Sequence, residues 1–140
     1  MNKILICSHG KLSEGFWDSL KIILGNNKNI DYLTFYDQNQ GILDLEKIKK
    51  YFLDNKNNEL IVLTDVFGGS VNQEVIKQAV GYDNIRIISG VNFPLLLELA
   101  VRLDCYLTND QLKEIVEQSK KQIIFFDNKI QSEFKDDFEI

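Results

Sequence analysis

The sequence predicts an α/β fold, an open and mainly parallel sheet with helices on both faces. Three observations carry that prediction. Short, almost continuous apolar runs at Ile4-Leu5-Ile6-Cys7 and Leu60-Ile61-Val62-Leu63 suit strands covered on both sides. Between such runs, apolar residues recur at helical spacing. The two patterns alternate along the chain, and alternating units of this kind imply a parallel sheet.

The first strand, Ile4 to Cys7, leads into Leu12, Phe16, Leu20, Ile23 and Leu24 at helical spacing, and Gly25-Asn26-Asn27 stops that helix. Ile30 to Tyr36 alternates loosely and reads as the second strand. Ile42, Leu45, Ile48, Phe52 and Leu53 mark a second amphipathic helix, ended by the polar stretch Asp54 to Asn58. The third strand, Leu60 to Leu63, halts at Thr64-Asp65. A tight loop, Val66-Phe67-Gly68-Gly69-Ser70, then opens a helix from about Val71 to Val80. Ser70-x-x-Gln73 matches a capping box with Ser70 as the N-cap. Ile85 to Ile88 is the fourth strand, and Pro94 suits the first turn of a helix reaching about Leu103. Thr108-x-x-Gln111 is a second capping box, before a helix through Leu112, Ile115, Val116 and Ser119. Gln122 to Phe126 is expected to form a last strand. The order is β-α-β-α-β-α-β-α-α-β, one domain over residues 1–126, followed by a polar, acidic tail at 127–140.

A chain of 140 residues is long enough for one core without disulfides or a structural metal. Its 16 Lys and Arg against 21 Asp and Glu give a net charge of −5. That balance argues against a nucleic-acid surface and leaves room for a basic protein partner. Apolar stretches fall short of the ~20 residues that span a bilayer, and the run near Met1 is too short for a signal peptide. A cytoplasmic location is therefore expected. Cys7 and Cys105 form no CxxC pair or secretory framework. The single histidine, His9, excludes a multi-histidine zinc site, and no metal or cofactor is expected.

Open α/β sheets bind ligands beyond the carboxyl ends of their strands, near the switch point in strand order. Three strand ends here carry unusual residues: Ser8-His9-Gly10, Thr64-Asp65 with Gly68-Gly69-Ser70, and Ser89-Gly90-Val91-Asn92. In a parallel sheet all three emerge on one edge. Each has a plain structural explanation: His9 as a surface or capping residue, Asp65 as a turn residue, Gly68-Gly69 as a tight turn, Ser70 as a helix cap. Yet a helix N-terminus behind flexible glycines also offers N–H groups to an anion. Together the loops form a phosphate-sized site beside the one imidazole. A neutral imidazole is a nucleophile toward phosphorus, and an ordinary histidine pKa near ~6.5 leaves it largely neutral at pH 7. Asp65, accepting from one ring N–H, would fix the tautomer and present the other nitrogen. Gly68, Gly69 and Ser70 are the expected phosphoryl-binding residues, the Gly69 and Ser70 amides and the Ser70 hydroxyl bearing the phosphoryl oxygens.

Cys7-Ser8-His9-Gly10, Leu63-Thr64-Asp65-Val66-Phe67-Gly68-Gly69-Ser70 and Ser89-Gly90-Val91-Asn92-Phe93-Pro94 together resemble the IIA component of mannose-family sugar phosphotransferase systems. The similarity spans about Lys3 to Leu103, with the segments in family order and spacing. The resemblance implies a flavodoxin-like domain whose histidine takes a phosphoryl group from the phosphocarrier HPr and passes it to a IIB component. His9 matches the phosphorylated histidine, normally modified at Nε2; Asp65 matches the carboxylate that orients it, and Ser70 the hydroxyl at the phosphoryl site. It further implies an indirect link to membrane IIC and IID components. It also implies a homodimer whose C-terminal strand, here around Gln122 to Phe126, is exchanged between subunits and runs antiparallel. Many members continue the loop as Gly-Gly-Ser-Pro, whereas Val71 follows Ser70 here; loss of that proline should soften the loop rather than remove the site. With no IIB domain in the sequence, the IIB partner is expected on a separate chain.

Other readings compete. A similar IIA domain feeds dihydroxyacetone kinases or reports phosphorylation state in transcriptional regulators. A receiver phosphorylated at Asp65 would need an acidic pair after the first strand, where this chain has Ser8-His9. A thiol enzyme using Cys7 with His9 competes with Cys7 as a small core residue. A non-catalytic flavodoxin-like binding domain would need a Ser/Thr/Gly-rich phosphate cradle after the first strand, which the sequence lacks there.

Overall fold

A computed structural model describes residues 2–36 and 43–128. Four strands, β1 (Asn2–His9), β2 (Ile30–Phe35), β3 (Glu59–Thr64) and β4 (Ile85–Ser89), form one sheet in the order β2-β1-β3-β4, and every pairing is parallel. Five helices accompany them: α1 (Leu12–Leu24), α2 (Leu45–Asp54), α3 (Ser70–Ala79), α4 (Phe93–Val101) and α5 (Asn109–Lys120). The strand order reverses between β1 and β3, so the switch point lies at their carboxyl ends.

Period-two alternation along β1 divides the core into two layers. Ile4 and Ile6 pack with Leu20 of α1, Leu95, Leu96 and Leu99 of α4, and Leu112 and Ile115 of α5. Leu5 and Cys7 point the other way, to Ile48 and Phe52 of α2 and Val71 and Val75 of α3. All four β1 side chains are fully buried, as the continuous apolar run requires. Burial, and secondarily the charge of Asp65, pushes the Cys7 thiol well above its ordinary pKa. The group is a core filler and no thiolate nucleophile.

Two expectations change. Ser70 is not the N-cap of α3: Gly69 takes that position with extended φ and ψ of −69° and 168°, and no side chain caps the helix. Gln73 instead donates its side-chain amide to Gly68 O at 2.6 Å, so the Ser70-x-x-Gln73 capping box does not form. The Thr108-x-x-Gln111 box does form, at the start of α5. Gln122 to Phe126 forms no strand, and the sheet of the described residues consists of β1 to β4. Ile42 of the second helix and residues 129–140 of the tail lie outside the described residues.

Candidate active site at the switch point

His9 ends β1 and Asp65 follows β3, the adjacent strand, so the two side chains meet although 56 residues separate them. Asp65 Oδ2 accepts the His9 backbone N–H at 2.9 Å and lies 2.9 Å from His9 Nδ1. Asp65 Oδ1 accepts the Val66 N–H at 3.1 Å. A carboxylate engaged by two backbone donors is fixed in direction. Its side chain is only 6% exposed, against 44% for His9. The acceptor at Nδ1 demands the Nδ1–H tautomer and leaves the Nε2 lone pair facing outward. Oriented and nearly buried in this way, Asp65 is a hydrogen-bond acceptor for the ring rather than an exposed phosphoacceptor.

The backbone around His9 is anchored on every side. Gly10 has φ of +56°, and its N–H donates to Phe35 O at 2.6 Å. Buried Ser8 Oγ accepts the Ser13 N–H at 2.7 Å, tying the strand end to α1.

The loop after β3 turns at Gly68, whose φ of +78° belongs to the left-handed region that glycine enters without penalty. Its amide donates to Asn72 Oδ1 at 3.0 Å, and the Gly69 amide donates to Val66 O at 3.1 Å. Both glycine amides are therefore engaged, Gly68 by Asn72 of α3 and Gly69 within the loop. A Cβ on Gly69 would stand 3.3 Å from Val66 O and 3.6 Å from His9 Cε1, so the loop runs close beneath the imidazole. The first intrahelical bond of α3 runs from Gln73 N to Gly69 O. It leaves the N–H groups of Ser70, Val71 and Asn72 at the positive end of the helix without helical acceptors. Ser70 Oγ stands 3.4 Å from His9 Nε2.

Sequence reasoning singled out His9, Asp65, Gly68, Gly69 and Ser70, and the structure brings all five to one place. It passed over Asn72, which is buried and donates to Thr64 Oγ1 at 2.9 Å and Ser89 Oγ at 2.6 Å. That side chain ties the start of α3 to the ends of β3 and β4. The available signal was an asparagine in the first turn of a helix, facing two strand-end hydroxyls. It also passed over Tyr36, whose ring stacks on His9 with centroids 5.4 Å apart and planes at 20°.

Fold and site define a class: a parallel α/β domain that holds a carboxylate-oriented imidazole at its switch point, beside an open helix N-terminus. The chain belongs to the mannose-type family of phosphotransferase-system (PTS) IIA components, since the family model described as "PTS system fructose IIA component" matches residues 3–120. It is 25% identical over 121 residues to the PTS system mannose-specific EIIAB component of Escherichia coli, covering 85% of this chain and 37% of that protein. The chain thus spans well under half the length of that relative. Among solved structures, it resembles the PTS IIA protein associated with the fucose utilization operon from Streptococcus pneumoniae. The TM-score is 0.72 at 26% identity, covering 93% of this chain and 95% of that one. It also resembles the phosphotransferase system component EIIA from Streptococcus agalactiae, at a TM-score of 0.72 and 25% identity, covering 90% and 97%. No helix among the described residues is long and apolar enough to cross a membrane.

Proposed function

We propose that this chain is a phosphohistidine carrier, taking a phosphoryl group from phospho-HPr on His9 and passing it to a IIB component, which serves membrane IIC and IID components in sugar uptake. The observation that carries the reading is the shared Asp65 Oδ2 acceptor, which holds both the backbone and Nδ1 of His9. In the transfer, the Nε2 lone pair forms the N–P bond as the bond from phosphorus to the donor breaks. Nδ1 keeps its proton against Asp65, whose charge offsets the positive charge the ring gains. The phosphoryl oxygens face the Ser70 hydroxyl and the Ser70 and Val71 amides, reinforced by the dipole of α3. Delivery to IIB is the same displacement in reverse.

A protein donor needs a docking surface around Nε2. Phe67 in the loop after β3 is 82% exposed, and Leu12 at the start of α1 is half-exposed. We place donor and acceptor on this one face, because a single histidine must meet both, and we place the protein in the cytoplasm with them. The measurement is direct: incubate with phosphoenolpyruvate, enzyme I and HPr, and weigh the intact protein. A gain of about 80 Da, acid-labile and base-stable, is expected, with none in His9→Ala or without HPr. Full labelling of His9→Ala would sink the assignment.

The chain is also proposed to act as a homodimer. Ile123 and Phe125 are 78% and 80% exposed, with Ile124 and Phe126 beside them, an apolar run that single chains seldom leave in water. Exchange of this segment as an antiparallel strand would cover it. Sedimentation should show a dimer that Ile124→Lys dissociates; a wild-type monomer at micromolar concentration would rule the dimer out.

A further inference from the structure

Tyr36 directly follows β2 in a backbone conformation that tyrosine rarely adopts, φ of 59°. No glycine or asparagine stands there to relieve it, and such outliers persist where the surrounding structure holds them. The consequence of the turn is local to His9. The Tyr36 ring lies over the imidazole, 5.4 Å between centroids and 20° between planes. Its hydroxyl donates to Ser70 Oγ at 3.0 Å, and Ser70 Oγ lies 3.4 Å from His9 Nε2. Asp65 holds the imidazole at Nδ1, at one edge of the ring. Tyr36 holds its face, and reaches round to the hydroxyl at the reacting nitrogen.

We propose that Tyr36 is a positioning residue of the phosphoryl site, its ring fixing the plane of His9 and its hydroxyl orienting Ser70 toward the group carried on Nε2. The inference rests on the phosphocarrier reading. Before transfer, the chain of donors runs from Tyr36 O–H to Ser70 Oγ, and from Ser70 O–H to the Nε2 lone pair. When that lone pair becomes the N–P bond, the Ser70 proton has lost its acceptor and turns to a phosphoryl oxygen, with Tyr36 still donating to Ser70. The ring then carries positive charge beneath an aromatic face, an attractive arrangement. Tyr36 thus takes no proton and forms no bond in the reaction; it limits the directions in which Nε2 and Ser70 point.

Two substitutions separate the two parts. Tyr36→Phe keeps the ring and removes the hydroxyl; Tyr36→Leu removes both. Single-turnover transfer from phospho-HPr should fall roughly five- to ten-fold in Tyr36→Phe, the worth of about one hydrogen bond, and further in Tyr36→Leu. Spontaneous hydrolysis of the phosphohistidine should quicken in the same order. Ser70→Ala should make Tyr36→Phe silent, because the hydroxyl then has nothing to orient. A purely structural tyrosine would lower thermal stability without this dependence on Ser70. Nuclear Overhauser contacts between the His9 and Tyr36 rings in the unphosphorylated wild type test the stack without any variant, and their presence is expected. Wild-type transfer and hydrolysis rates in both variants, or absent ring contacts, overturn the proposal. Failure of the wild type to be labelled at all, with the ring contacts present, overturns the phosphocarrier reading instead.

Discussion

At the start of α5, Thr108 Oγ1 accepts the Gln111 N–H at 3.2 Å, and the Gln111 side-chain oxygen accepts the Thr108 N–H at 2.8 Å. The helix end is closed by its own side chains. At the start of α3, the corresponding side chains fold elsewhere: Asn72 and Gln73 both grip Gly68, one residue before the N-cap, and no side chain reaches the first amides. Asn92 caps α4 by accepting the Leu95 N–H at 2.9 Å, so α4 and α5 begin under side-chain caps and α3, beside His9, does not. An N-cap side chain typically contributes about 1 kcal/mol. The difference teaches that α3 forgoes this contribution where the Ser70 hydroxyl stands beside Nε2, and that the loop is held instead from behind, through buried Asn72.

The sharpest way to break the comparison keeps α3 open and turns the imidazole wrongly. Asp65→Asn presents an amide to Nδ1, and the Nδ1–H tautomer loses its anionic acceptor. Transfer from phospho-HPr should fall by about 10⁴-fold, the scale of the same replacement in a Ser-His-Asp triad. Rapid-quench labelling measures it, and a loss under ten-fold would show that an open helix end suffices without an oriented ring. The converse change closes α3. Gly69→Asp puts a carboxylate at an N-cap whose extended backbone accepts any residue, although the new Cβ must displace Val66 O from 3.3 Å. The carboxylate would take the amides proposed to hold the phosphoryl group and repel that group. A like charge at about 4 Å costs on the order of 4 kcal/mol at an effective dielectric near 20, so labelling should drop about 10³-fold. Melting temperature should change little, since the cap gained offsets the crowding.

Why some of this was legible and some not follows from what each feature depends on. The apolar run of β1 reads directly as a strand because both of its faces are buried. His9 and Asp65 could be placed on one edge without a structure, because a parallel sheet puts its strand ends there; that β1 neighbours β3 is seen only in the fold. The helix start at Gly69 was missed by one residue, since Ser-x-x-Gln satisfies the capping pattern whether or not the serine is the cap. That single step removes the capping role from Ser70 and leaves its hydroxyl beside Nε2. Tyr36 gave no local signal at all: its direction is set by a positive φ that tyrosine does not advertise. The expected strand at Gln122 to Phe126 is not among the described strands, because an apolar run of that length reads alike whether or not it joins a sheet.

The mildest test crosses the two helix starts. Thr108→Ala removes one half of a closed capping box and should cost about 1 kcal/mol, lowering the melting temperature by about 3–6 °C. It lies away from His9 and should leave phosphoryl transfer unchanged. Ser70→Ala removes a hydroxyl that caps nothing, so stability should shift by no more than about 0.5 kcal/mol. Transfer should nevertheless fall about ten- to a hundred-fold, below the 10²–10³ typical of losing a whole oxyanion donor, because the Ser70 and Val71 amides remain. Calorimetry and single-turnover labelling on the same two proteins decide it. If Ser70→Ala lost stability and kept its rate, the α3 terminus would be an ordinary capped helix end and its openness would have no bearing on the chemistry at His9.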